Sequence, residues 1–326
     1  MKAITLDTFG EADVLQIDEA PDPVLRPHDL LVRNRAAGVN RADLNQRRGA
    51  YGRADFGDST LMGLEIAGDV IAMGADVTGF AIGDRVMGIV GGGSYAELAR
   101  IDDRMAMAVP EGMDIVLAGA IPEVFVTAHE ALLHLGRLRA GEKVLIHAAA
   151  GGVGSAAVQL AHAVGAQVFA TASAAKHAEV RALGADILID HKTQDFGDVV
   201  KAEAGERGVD LVIDFIGAPY LERNIRALAE GGRLVQVGLV GGTGAGTLPM
   251  DRVLFRHLQI MGTVMKSRTA EVKQAMTRRF ADAWLGHFAD GRLKPVLDSR
   301  YPLARAAEAH RRMEAGLNVG KIVLEP

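Results

Sequence analysis

The sequence predicts an α/β protein in which a doubly wound parallel sheet of six strands is inserted into a β-rich, barrel-like domain. From residue 143 onward, short apolar runs alternate with segments of helical periodicity. The first 120 residues have a different texture, because Gly, Pro and Asp interrupt short β-branched runs there. Alternating strands and helices favour right-handed crossovers and a parallel sheet that carries helices on both faces.

The sheet is predicted from six apolar runs of strand length. They are KVLIHA (143–148), QVFATA (167–172), DILID (186–190), DLVIDFIG (210–217), RLVQVGL (233–239) and LQIMGTVM (258–265). Three helix candidates lie between them, and each ends at a glycine, the residue that most readily takes the left-handed conformation of a helix C-terminus. They are SAAVQLAHAV before Gly165, AKHAEVRAL before Gly184 and YLERNIRALAE before Gly231.

The chain is expected to return to its first domain after the sheet. Beyond residue 266 the sequence becomes helical and charged (AEVKQAMTRRFADAWLGHF) and then closes on the strand-like GKIVLEP. We therefore expect residues 1–120 plus 266–326 to form one domain, and residues 121–265, which contain the parallel sheet, to form the other.

Composition favours a globular protein that acts on small molecules. The 326 residues are 49% hydrophobic and 24% charged, and the net charge of −5 gives no electrostatic reason to expect a nucleic-acid or anionic-membrane partner. No cysteine occurs, which excludes disulfides, thiol catalysis and Cys-ligated zinc and fits a cytoplasmic location. The first fifteen residues hold no apolar run typical of a secretory signal, and no uncharged run approaches membrane-spanning length.

A glycine-rich loop after the first predicted strand of the sheet indicates a dinucleotide site. In AAAGGVGSAAVQLA (148–161), Gly151 and Gly154 match the second and third glycines of G-x-G-x-x-G, and Ala149 stands at the first. The second glycine lets the backbone approach a pyrophosphate, and the third lets helix and strand pack closely. The helix N-terminus, which Gly152 and Val153 open, faces the negative charge. The alternative is a glycine-rich turn without a ligand.

The end of the second predicted strand favours NADP(H) over NAD(H). An NAD site commonly has a carboxylate about 20 residues after the loop, to accept from the ribose 2′-hydroxyl. Here the strand ends ATASAAK, which offers no carboxylate, whereas Ser173 and Lys176 are suited to a 2′-phosphate. The alternative is that Ser173 caps the following helix and that Lys176 is a solvated surface charge.

Nearly the whole chain resembles the medium-chain dehydrogenase/reductase superfamily in its zinc-free quinone oxidoreductase branch. The segments that carry the resemblance include GVNRADLNQRRGAY, GLEIAGDV, HAAAGGVGSAAVQLA, LGADILIDH and the terminal NVGKIVLE. The resemblance implies a Rossmann domain inserted in a GroES-like, β-barrel-type catalytic domain, NADPH as the cofactor and a homodimer formed through the Rossmann sheet.

The same resemblance predicts that the chain holds no metal. In zinc-dependent alcohol dehydrogenase relatives, two cysteines and a histidine hold the catalytic ion, and the matching positions are Asn40, Leu64 and, less directly, Glu123. Leucine cannot ligate zinc, and oxygen donors alone do not form the N/S set that zinc prefers. Next to Leu64, the sequence leaves Glu65 either a backbone partner or Arg85, in a structural role.

Further cofactor contacts are inferred from the resemblance. Relatives place a tyrosine beside the 2′-phosphate where this chain has His191, which therefore either contacts the phosphate or is a surface histidine. Gly238 and Leu239 follow the fifth strand, where relatives contact the nicotinamide through backbone groups. Asn318 and Lys321 belong to an N-x-G-K element that either reaches the cofactor or forms a plain turn into the last strand.

The absence of zinc ligands favours quinones and α,β-unsaturated carbonyls as substrates, because conjugation spreads the incoming negative charge and a few hydrogen-bond donors suffice. Asn40 and Tyr51 are the expected donors near the substrate oxygen, with Asp43 orienting the segment through an arginine such as Arg47. The alternatives are that Asn40 closes a turn, that Asp43 caps the short helix ADLNQRR and that Tyr51 is a packing residue.

The predicted function is NADPH-dependent reduction of quinones by hydride transfer without a metal. Two alternatives remain open at this point. One is reduction of the double bond of alkenals or enones, for which the same pocket is suited. The other is a non-catalytic NADPH-binding protein resembling the lens crystallins of this branch. An acidic chain with only 5% aromatic residues argues against a nucleic-acid partner.

Overall fold

The computed structural model describes residues 1–50 and 59–326, which divide into two compact units. Unit 1 consists of Met1–Val126 and Met265–Pro326, and unit 2 consists of Thr127–Val264. Unit 1 is therefore discontinuous in sequence, whereas unit 2 is a single segment.

The strands are numbered in chain order. They are β1 (Lys2–Thr5), β2 (Gln16–Glu19), β3 (Asp29–Val39), β4 (Glu65–Met73), β5 (Arg85–Ile89), β6 (Leu98–Asp102), β7 (Ala106–Ala108), β8 (Lys143–Ile146), β9 (Gln167–Ala172), β10 (Ile187–Asp190), β11 (Val209–Asp214), β12 (Leu228–Gln236), β13 (Gln259–Gly262), β14 (Leu297–Pro302) and β15 (Lys321–Glu325).

The α-helices are numbered in the same way, and a π-helical turn (Glu130–Leu135) continues the third of them. They are α1 (Arg41–Arg47), α2 (Ile115–Ala118), α3 (Pro122–His129), α4 (Gly152–Val164), α5 (His177–Ala182), α6 (Phe196–Ala204), α7 (Leu221–Ala227), α8 (Met250–Phe255), α9 (Ala270–Trp284), α10 (Gly286–Ala289) and α11 (Ala306–Glu314).

Unit 2 is built on a parallel sheet of six strands in the order β10-β9-β8-β11-β12-β13. All five strand pairs are parallel. The strand order runs outward in both directions from β8, the first strand of the unit, as a doubly wound sheet requires. Leu145, Phe169 and Ile225 lie in its apolar core. The predicted α/β fold class and the six predicted strands are confirmed.

One predicted helix of unit 2 is wrong in its extent. The segment YLERNIRALAE was expected to stay helical as far as Gly231, but α7 ends at Ala227 and β12 begins at Leu228, which pairs with Val209 of β11. The positive φ of Gly231, 69°, lies within β12, where the register with β11 shifts. The glycine therefore serves an irregularity in a strand and not the end of a helix. By contrast, Gly165 does end α4, with φ of 86°.

Unit 1 contains a mostly antiparallel sheet in the order β14-β15-β3-β4-β5-β7, with β6 paired to β3, and a separate β1-β2 pair. The predicted helical and charged tail forms α9 and α10, and the predicted closing strand is β15. β15 is antiparallel to β3, with Ile322 opposite Val39. This register places Lys321 beside Asn40, although the two residues are far apart in sequence.

One helical segment among residues 1–50 and 59–326, Ile115–Leu135, is long and apolar enough to cross a membrane by length and composition. Its most apolar window is 78% buried inside the folded chain, as expected of a core helix.

Candidate active site

A buried ammonium group lies at the centre of the polar cluster in unit 1. Lys321 is 3% exposed, and its Nζ lies 2.7 Å from Val39 O, 2.7 Å from Asn40 Oδ1 and 2.6 Å from Glu65 Oε1. An ammonium has three hydrogens, so all of them are used. The ion pair with Glu65 removes the cost of burying either charge alone.

Glu65 connects this cluster to a second chain segment. Its Oε1 also accepts from Asn40 Nδ2 at 2.8 Å, and its Oε2 accepts from the backbone N of Glu123 at 2.9 Å. The sequence left Glu65 a backbone partner or Arg85, and the structure gives it the backbone partner, because Arg85 donates instead to Met113 O. The Glu65 carboxylate is fully buried and bonded through both oxygens.

The Glu123 side chain stays near this cluster as a protonated acid. Burial, and then the nearby Glu65 carboxylate, raise its pKa to about 8 against the opposing charge of Lys321. At neutral pH the carboxyl is therefore mostly neutral. The cluster thus contains one paired positive and one paired negative charge.

The donor set of this cluster does not fit zinc. At the three ligand positions of zinc-dependent relatives, Leu64 offers only carbon atoms, and Asn40 is committed to Lys321, Glu65 and Gly38 O. No group of three or more His, Cys, Asp or Glu side chains among the described residues has a geometry suited to a metal ion. Three oxygens of the cluster already accept hydrogen bonds from the Lys321 ammonium, and this positive charge disfavours a second cation beside it.

The roles expected for Asn40 and Lys321 need correction. Asn40 Nδ2 donates to Gly38 O at 3.2 Å and to Glu65 Oε1, which uses both amide hydrogens and leaves none for a substrate oxygen. Lys321 likewise has no hydrogen left for a cofactor. Asn318 donates to Gly320 O at 2.8 Å and is 9% exposed, so its side chain shapes the turn into β15. Tyr51, the other expected donor, lies outside the described residues.

A chain of buried hydrogen bonds extends from Asp43 into unit 1. Tyr95 Oη lies 3.0 Å from Asp43 Oδ2 and 3.1 Å from His310 Nε2, and Arg47 Nη1 lies 3.4 Å from His310 Nδ1. Because a guanidinium only donates, His310 Nδ1 accepts. Nε2 therefore carries the ring hydrogen and donates to Tyr95, whose hydroxyl donates to Asp43. All four side chains are buried.

Burial shifts the proton affinities along this chain. It raises the pKa of Asp43 to about 7, against the opposing hydrogen bond from the backbone of Asn40. Burial and then the Arg47 charge lower the pKa of His310 to about 3. Burial and then the Asp43 charge raise the pKa of Tyr95. The histidine and tyrosine rings are consequently neutral at physiological pH.

Asp43 orients its segment, but not through Arg47 as expected. Its Oδ2 accepts from the backbone N of Asn40 at 2.7 Å, so it closes the first turn of α1, as one of the sequence alternatives held. Arg47 donates instead to Gly10 O at 3.0 Å and pairs with Glu314. No sequence motif indicates Tyr95 as the further partner of Asp43, since the two residues are separated by 52 positions.

In unit 2, the loop between β8 and α4 has the geometry of a phosphate-binding turn. Ala148 takes a left-handed conformation with φ of 47°, and a Cβ on Gly154 would lie 2.3 Å from Ala148 O. Only glycine at 154 therefore allows the helix to pack against the turn. The first intrahelical bond of α4 is from Ser155 N to Gly151 O at 2.8 Å, so the amides of residues 152–154 have no acceptor within the helix and are suited to an anion.

A buried network of side-chain hydrogen bonds contacts the start of this loop. His147 Nε2 lies 2.8 Å from Asn224 Oδ1, and His147 Nδ1 lies 3.1 Å from Thr171 Oγ1. Thr171 Oγ1 also accepts from the backbone N of Ala148 at 3.2 Å, and Asn224 Nδ2 donates to Asp214 Oδ2 at 3.1 Å. Burial lowers the pKa of His147 to about 4, which keeps the ring neutral. The network ties β8, β9 and β11 together directly under the turn.

The ends of β9 and β10 bring together the side chains that were expected at a 2′-phosphate. Ser173 and Lys176 bound the 3₁₀ turn after β9, and the Ser173 side chain makes no capping hydrogen bond there. His191 follows β10, and its backbone N lies 3.4 Å from Ala172 O. His177, which the sequence did not single out, lies 3.2 Å from the same carbonyl through Nε2. The group is basic apart from Asp190, whose oxygens already accept from Lys192 N and Thr193 Oγ1.

Three further residues expected to contact the cofactor lie in loops of unit 2. Gly238 and Leu239 follow β12, and Gln236 Nε2 donates a hydrogen bond to Gly238 O at 2.6 Å. Leu239 is 51% exposed. Ala149, at the first position of the glycine pattern, donates through its backbone N to Thr171 O at 2.9 Å and is fully buried, so its part in the loop is to anchor the turn.

Two family models match the chain. The model described as "Zinc-binding dehydrogenase" matches residues 152–282, and the model described as "Alcohol dehydrogenase GroES-like domain" matches residues 26–111. The matched ranges correspond to most of the parallel-sheet unit and to most of the first segment of unit 1.

Individual relatives match over the full length. Human quinone oxidoreductase is 33% identical over 332 residues, which cover 99% of this chain and 97% of the human protein. A solved NAD-dependent alcohol dehydrogenase superposes with a TM-score of 0.89 at 33% identity and covers 100% of both chains. Escherichia coli quinone oxidoreductase complexed with NADPH also superposes with a TM-score of 0.89, at 26% identity and 100% of both chains.

Proposed function

Because the chain belongs to the quinone oxidoreductase branch of the medium-chain dehydrogenase/reductase superfamily, we propose that it reduces quinones with NADPH and without a metal ion. It is an oxidoreductase that uses a nicotinamide cofactor and a small-molecule substrate. The observation that carries the finer proposal is the donor set at the ligand positions of zinc-dependent relatives, where Leu64 offers only carbon atoms and the Asn40 amide is already bonded to Lys321 and Glu65.

The residues of unit 2 fit a dinucleotide. Gly151, Gly152, Val153 and Gly154 would hold the pyrophosphate against the start of α4, with Ala149 anchoring the turn. When bound, the nicotinamide supplies the hydride. The remaining contribution of the chain is to position that cofactor and a conjugated carbonyl compound and to keep water from the reacting atoms.

Quinones suit this chemistry because their reduction needs no Lewis acid. A quinone that accepts a hydride becomes the hydroquinone monoanion, whose charge is shared between its phenolate oxygen and the aromatic ring. One proton from a donor or from solvent then completes the hydroquinone, so that two electrons and two hydrogens are transferred in all. Tyr51 stays a prediction as a donor to the substrate oxygen, whereas Asn40 acts by positioning.

The proposal is tested by measuring NADPH oxidation with 1,4-benzoquinone, 9,10-phenanthrenequinone and 2-alkenals, before and after dialysis against a chelator. We expect turnover of the quinones, unaffected by the chelator. Faster turnover of alkenals would favour a double-bond reductase. Tight NADPH binding without oxidation by any acceptor would favour a non-catalytic binding protein. A loss of activity on chelation that stoichiometric zinc restores would contradict metal independence.

The preference for NADPH over NADH rests on the basic group at the ends of β9 and β10. Lys176→Ala should lower NADPH affinity about tenfold, which corresponds to one charge-assisted hydrogen bond, and leave NADH affinity nearly unchanged. Fluorescence titration with both cofactors measures this. Lys192→Ala is the matched control, since this lysine lies after β10 and is not expected to contact the 2′-phosphate. Equal losses of affinity for NADH and NADPH would mean that Lys176 does not contact the 2′-phosphate.

His191 distinguishes a phosphate contact from a surface histidine. If its ring donates to the phosphate, NADPH affinity should be higher in acid, because the imidazolium is the stronger donor. Titrating NADPH affinity against pH in wild type, His191→Ala and His177→Ala tests this and separates the two rings. If the pH dependence of the wild type persists in His191→Ala, then His191 does not contact the phosphate and is a surface histidine.

A further inference from the structure

One chain of buried hydrogen bonds crosses the carboxyl end of the parallel sheet in unit 2. Its side chains, which we call the Asp214 network, are at most 2% exposed and are His147, Thr171, Asp214 and Asn224. His147 follows β8, Thr171 belongs to β9 and Asp214 ends β11, and these three strands are neighbours. The strand order reverses between β8 and β11, and a doubly wound sheet binds its ligand outside such a switch point. The network therefore lies where a dinucleotide is expected.

The Asp214 carboxylate sets the direction of every hydrogen bond in the network. Because a carboxylate only accepts, Asn224 turns its amide nitrogen to Asp214 and its amide oxygen to His147. His147 therefore donates through Nε2 and accepts through Nδ1. The Thr171 hydroxyl donates to this Nδ1, so its oxygen accepts from the backbone N of Ala148. A charge at the end of β11 thus fixes the acceptor of the amide that opens the β8 turn.

Ala148 depends on this acceptor because its backbone is strained. Its φ of 47° is rare for a residue other than glycine and persists only where the surroundings hold it. The Ala148 carbonyl accepts from Gly151 N at 2.9 Å, and Gly154 packs against the same carbonyl. The turn that presents the amides of residues 152–154 is therefore held in place through Ala148.

The same carboxylate holds the loops that follow β11 and β12. Asp214 Oδ1 accepts from Ile216 N at 2.6 Å, and Oδ2 accepts from Gly217 N at 3.1 Å. The backbone of this segment in turn fixes the next loop, since Asp214 O accepts from Val237 N at 2.8 Å and Ile216 O accepts from Gly241 N at 2.9 Å. Asp214 thus has two branches, one to the β8 turn and one to the loops after β11 and β12.

A dinucleotide at this switch point has its two halves on opposite sides of β8. The pyrophosphate binds at the β8 turn and the adenosine ribose near the end of β9, so the nicotinamide half extends towards β11 and β12. We propose that Asp214 is a positioning residue for both halves of the cofactor, through one branch for the pyrophosphate and through the other for the nicotinamide. The inference rests on the proposed use of NADPH.

Two binding measurements separate the branches. The Kd of 2′-phospho-ADP-ribose, which contains the pyrophosphate and lacks the nicotinamide, reports on the β8 turn. The fluorescence emission of bound NADPH at saturation reports on the surroundings of the nicotinamide. Asp214→Asn should raise this Kd about fivefold, as expected for the loss of one hydrogen bond, and should shift the emission.

Thr171→Val removes one hydroxyl from the pyrophosphate branch and keeps a side chain of similar shape. It should raise the Kd of 2′-phospho-ADP-ribose about fivefold and leave the emission of bound NADPH unchanged. In the double variant Asp214→Asn/Thr171→Val the Kd should rise no further than in Asp214→Asn, because both substitutions interrupt the same chain of hydrogen bonds. Independent effects would instead multiply to about 25-fold.

Asp210→Asn is the matched control, because Asp210 is a buried aspartate at the other end of β11. It is 8% exposed and accepts from Lys143 N at 2.8 Å and from Arg207 Nη2 at 3.0 Å. Its substitution should lower the melting temperature and leave both binding measurements unchanged. Where Asp214→Asn does not fold, Asn224→Leu replaces it and should raise the Kd of 2′-phospho-ADP-ribose alone, singly and together with Thr171→Val.

A wild-type Kd for 2′-phospho-ADP-ribose in folded Asp214→Asn or Asn224→Leu would overturn the proposal. So would unchanged NADPH emission in Asp214→Asn, or multiplied effects in the double variant. Failure of the proposed cofactor gives a different result, since the wild-type chain would then bind neither NADPH nor 2′-phospho-ADP-ribose.

Discussion

Asp43 is a residue whose protonation should affect the free energy of unfolding up to neutral pH. One of its oxygens accepts two hydrogen bonds, and the other, Oδ1, is buried without a hydrogen-bond partner among the described residues. A proton on Oδ1 is therefore compatible with the observed contacts. The raised pKa of about 7 means that the folded chain retains this proton to a higher pH than the unfolded chain, whose carboxyl has the ordinary pKa of 3.8.

The contribution of Asp43 to the free energy of unfolding should fall as pH rises. A folded-state pKa above the unfolded value stabilises the fold fully below the unfolded pKa, and this contribution is lost as pH rises to about 7. Over this range the advantage of wild type over Asp43→Asn should decrease by up to about 4 kcal/mol. Urea unfolding of both proteins at several pH values measures it. A difference that does not change with pH would contradict the raised pKa.

Asn40 should affect turnover more than cofactor binding. Its amide is held by Lys321 and Glu65 in unit 1, whereas the dinucleotide loop belongs to unit 2. Asn40→Ala should therefore lower kcat about tenfold and leave the dissociation constant of NADPH nearly unchanged. Steady-state kinetics and fluorescence titration measure the two quantities. An equal change in both would mean that Asn40 acts on the cofactor.

At the scale of elements, the start of α4 depends on the lack of a side chain at one position. A Cβ on Gly154 would lie 2.3 Å from Ala148 O and 2.8 Å from Ala149 Cα, both of which are backbone atoms. Gly154→Ala should thus displace the helix from the turn and lower NADPH affinity by tenfold or more. Isothermal titration measures the affinity.

Gly286→Ala is the matched control for this substitution, since nothing lies within 4 Å of its Cβ position and its φ is negative. It should bind NADPH as wild type does. Wild-type affinity in Gly154→Ala would mean that the loop does not hold the pyrophosphate.

The sequence predicted elements well where a local pattern decides them. β9 and the end of α4 at Gly165 were both predicted, because an apolar run and a left-handed glycine are features of adjacent residues. The boundary between α7 and β12 was not predicted, because Leu228 is a good helix former that becomes a strand residue only by pairing with Val209. Long-range pairing overrides local preference at such a boundary.

At the scale of the whole molecule, we expect a homodimer formed through β13. This strand is an edge of the six-stranded sheet, so among residues 1–50 and 59–326 no strand pairs with one side of its backbone. Exposed apolar side chains lie on or near it, among them Ile260 at 42%, Leu254 at 66% and Phe255 at 76% exposure. Pairing of two such edges would extend the sheet and cover these side chains.

Light scattering after size-exclusion chromatography tests the dimer. The wild-type mass should be twice the 34.4 kDa of the chain, and Ile260→Lys should shift it towards the monomer. Ile17→Lys is the matched control, because Ile17 is similarly exposed, at 44%, on a strand of the separate β1-β2 pair. A monomeric wild type, or equal dissociation in both variants, would contradict the interface.

The candidate site was predictable only in part, and the reason is distance along the chain. Gly151 and Gly154 were identified because the loop is a local motif with a known physical purpose. Lys321 was singled out, but its contacts with Asn40 and Glu65 were not predicted, since they arise only when β15 pairs with β3. No sequence pattern indicated a role for His310, because its partner Tyr95 lies 215 residues away.

The separation between Glu65 and Lys321 also has a consequence for biosynthesis. The two residues are 256 positions apart, and the whole of unit 2 is translated between them. All of unit 2 is therefore synthesised, and is able to fold, before Lys321 has been added to the chain. Until that lysine emerges, the nascent first segment contains a carboxylate that cannot be buried without cost. The buried polar cluster of unit 1 is thus completed only after unit 2 has been translated, and a chain that stops before Lys321 leaves Glu65 without this partner.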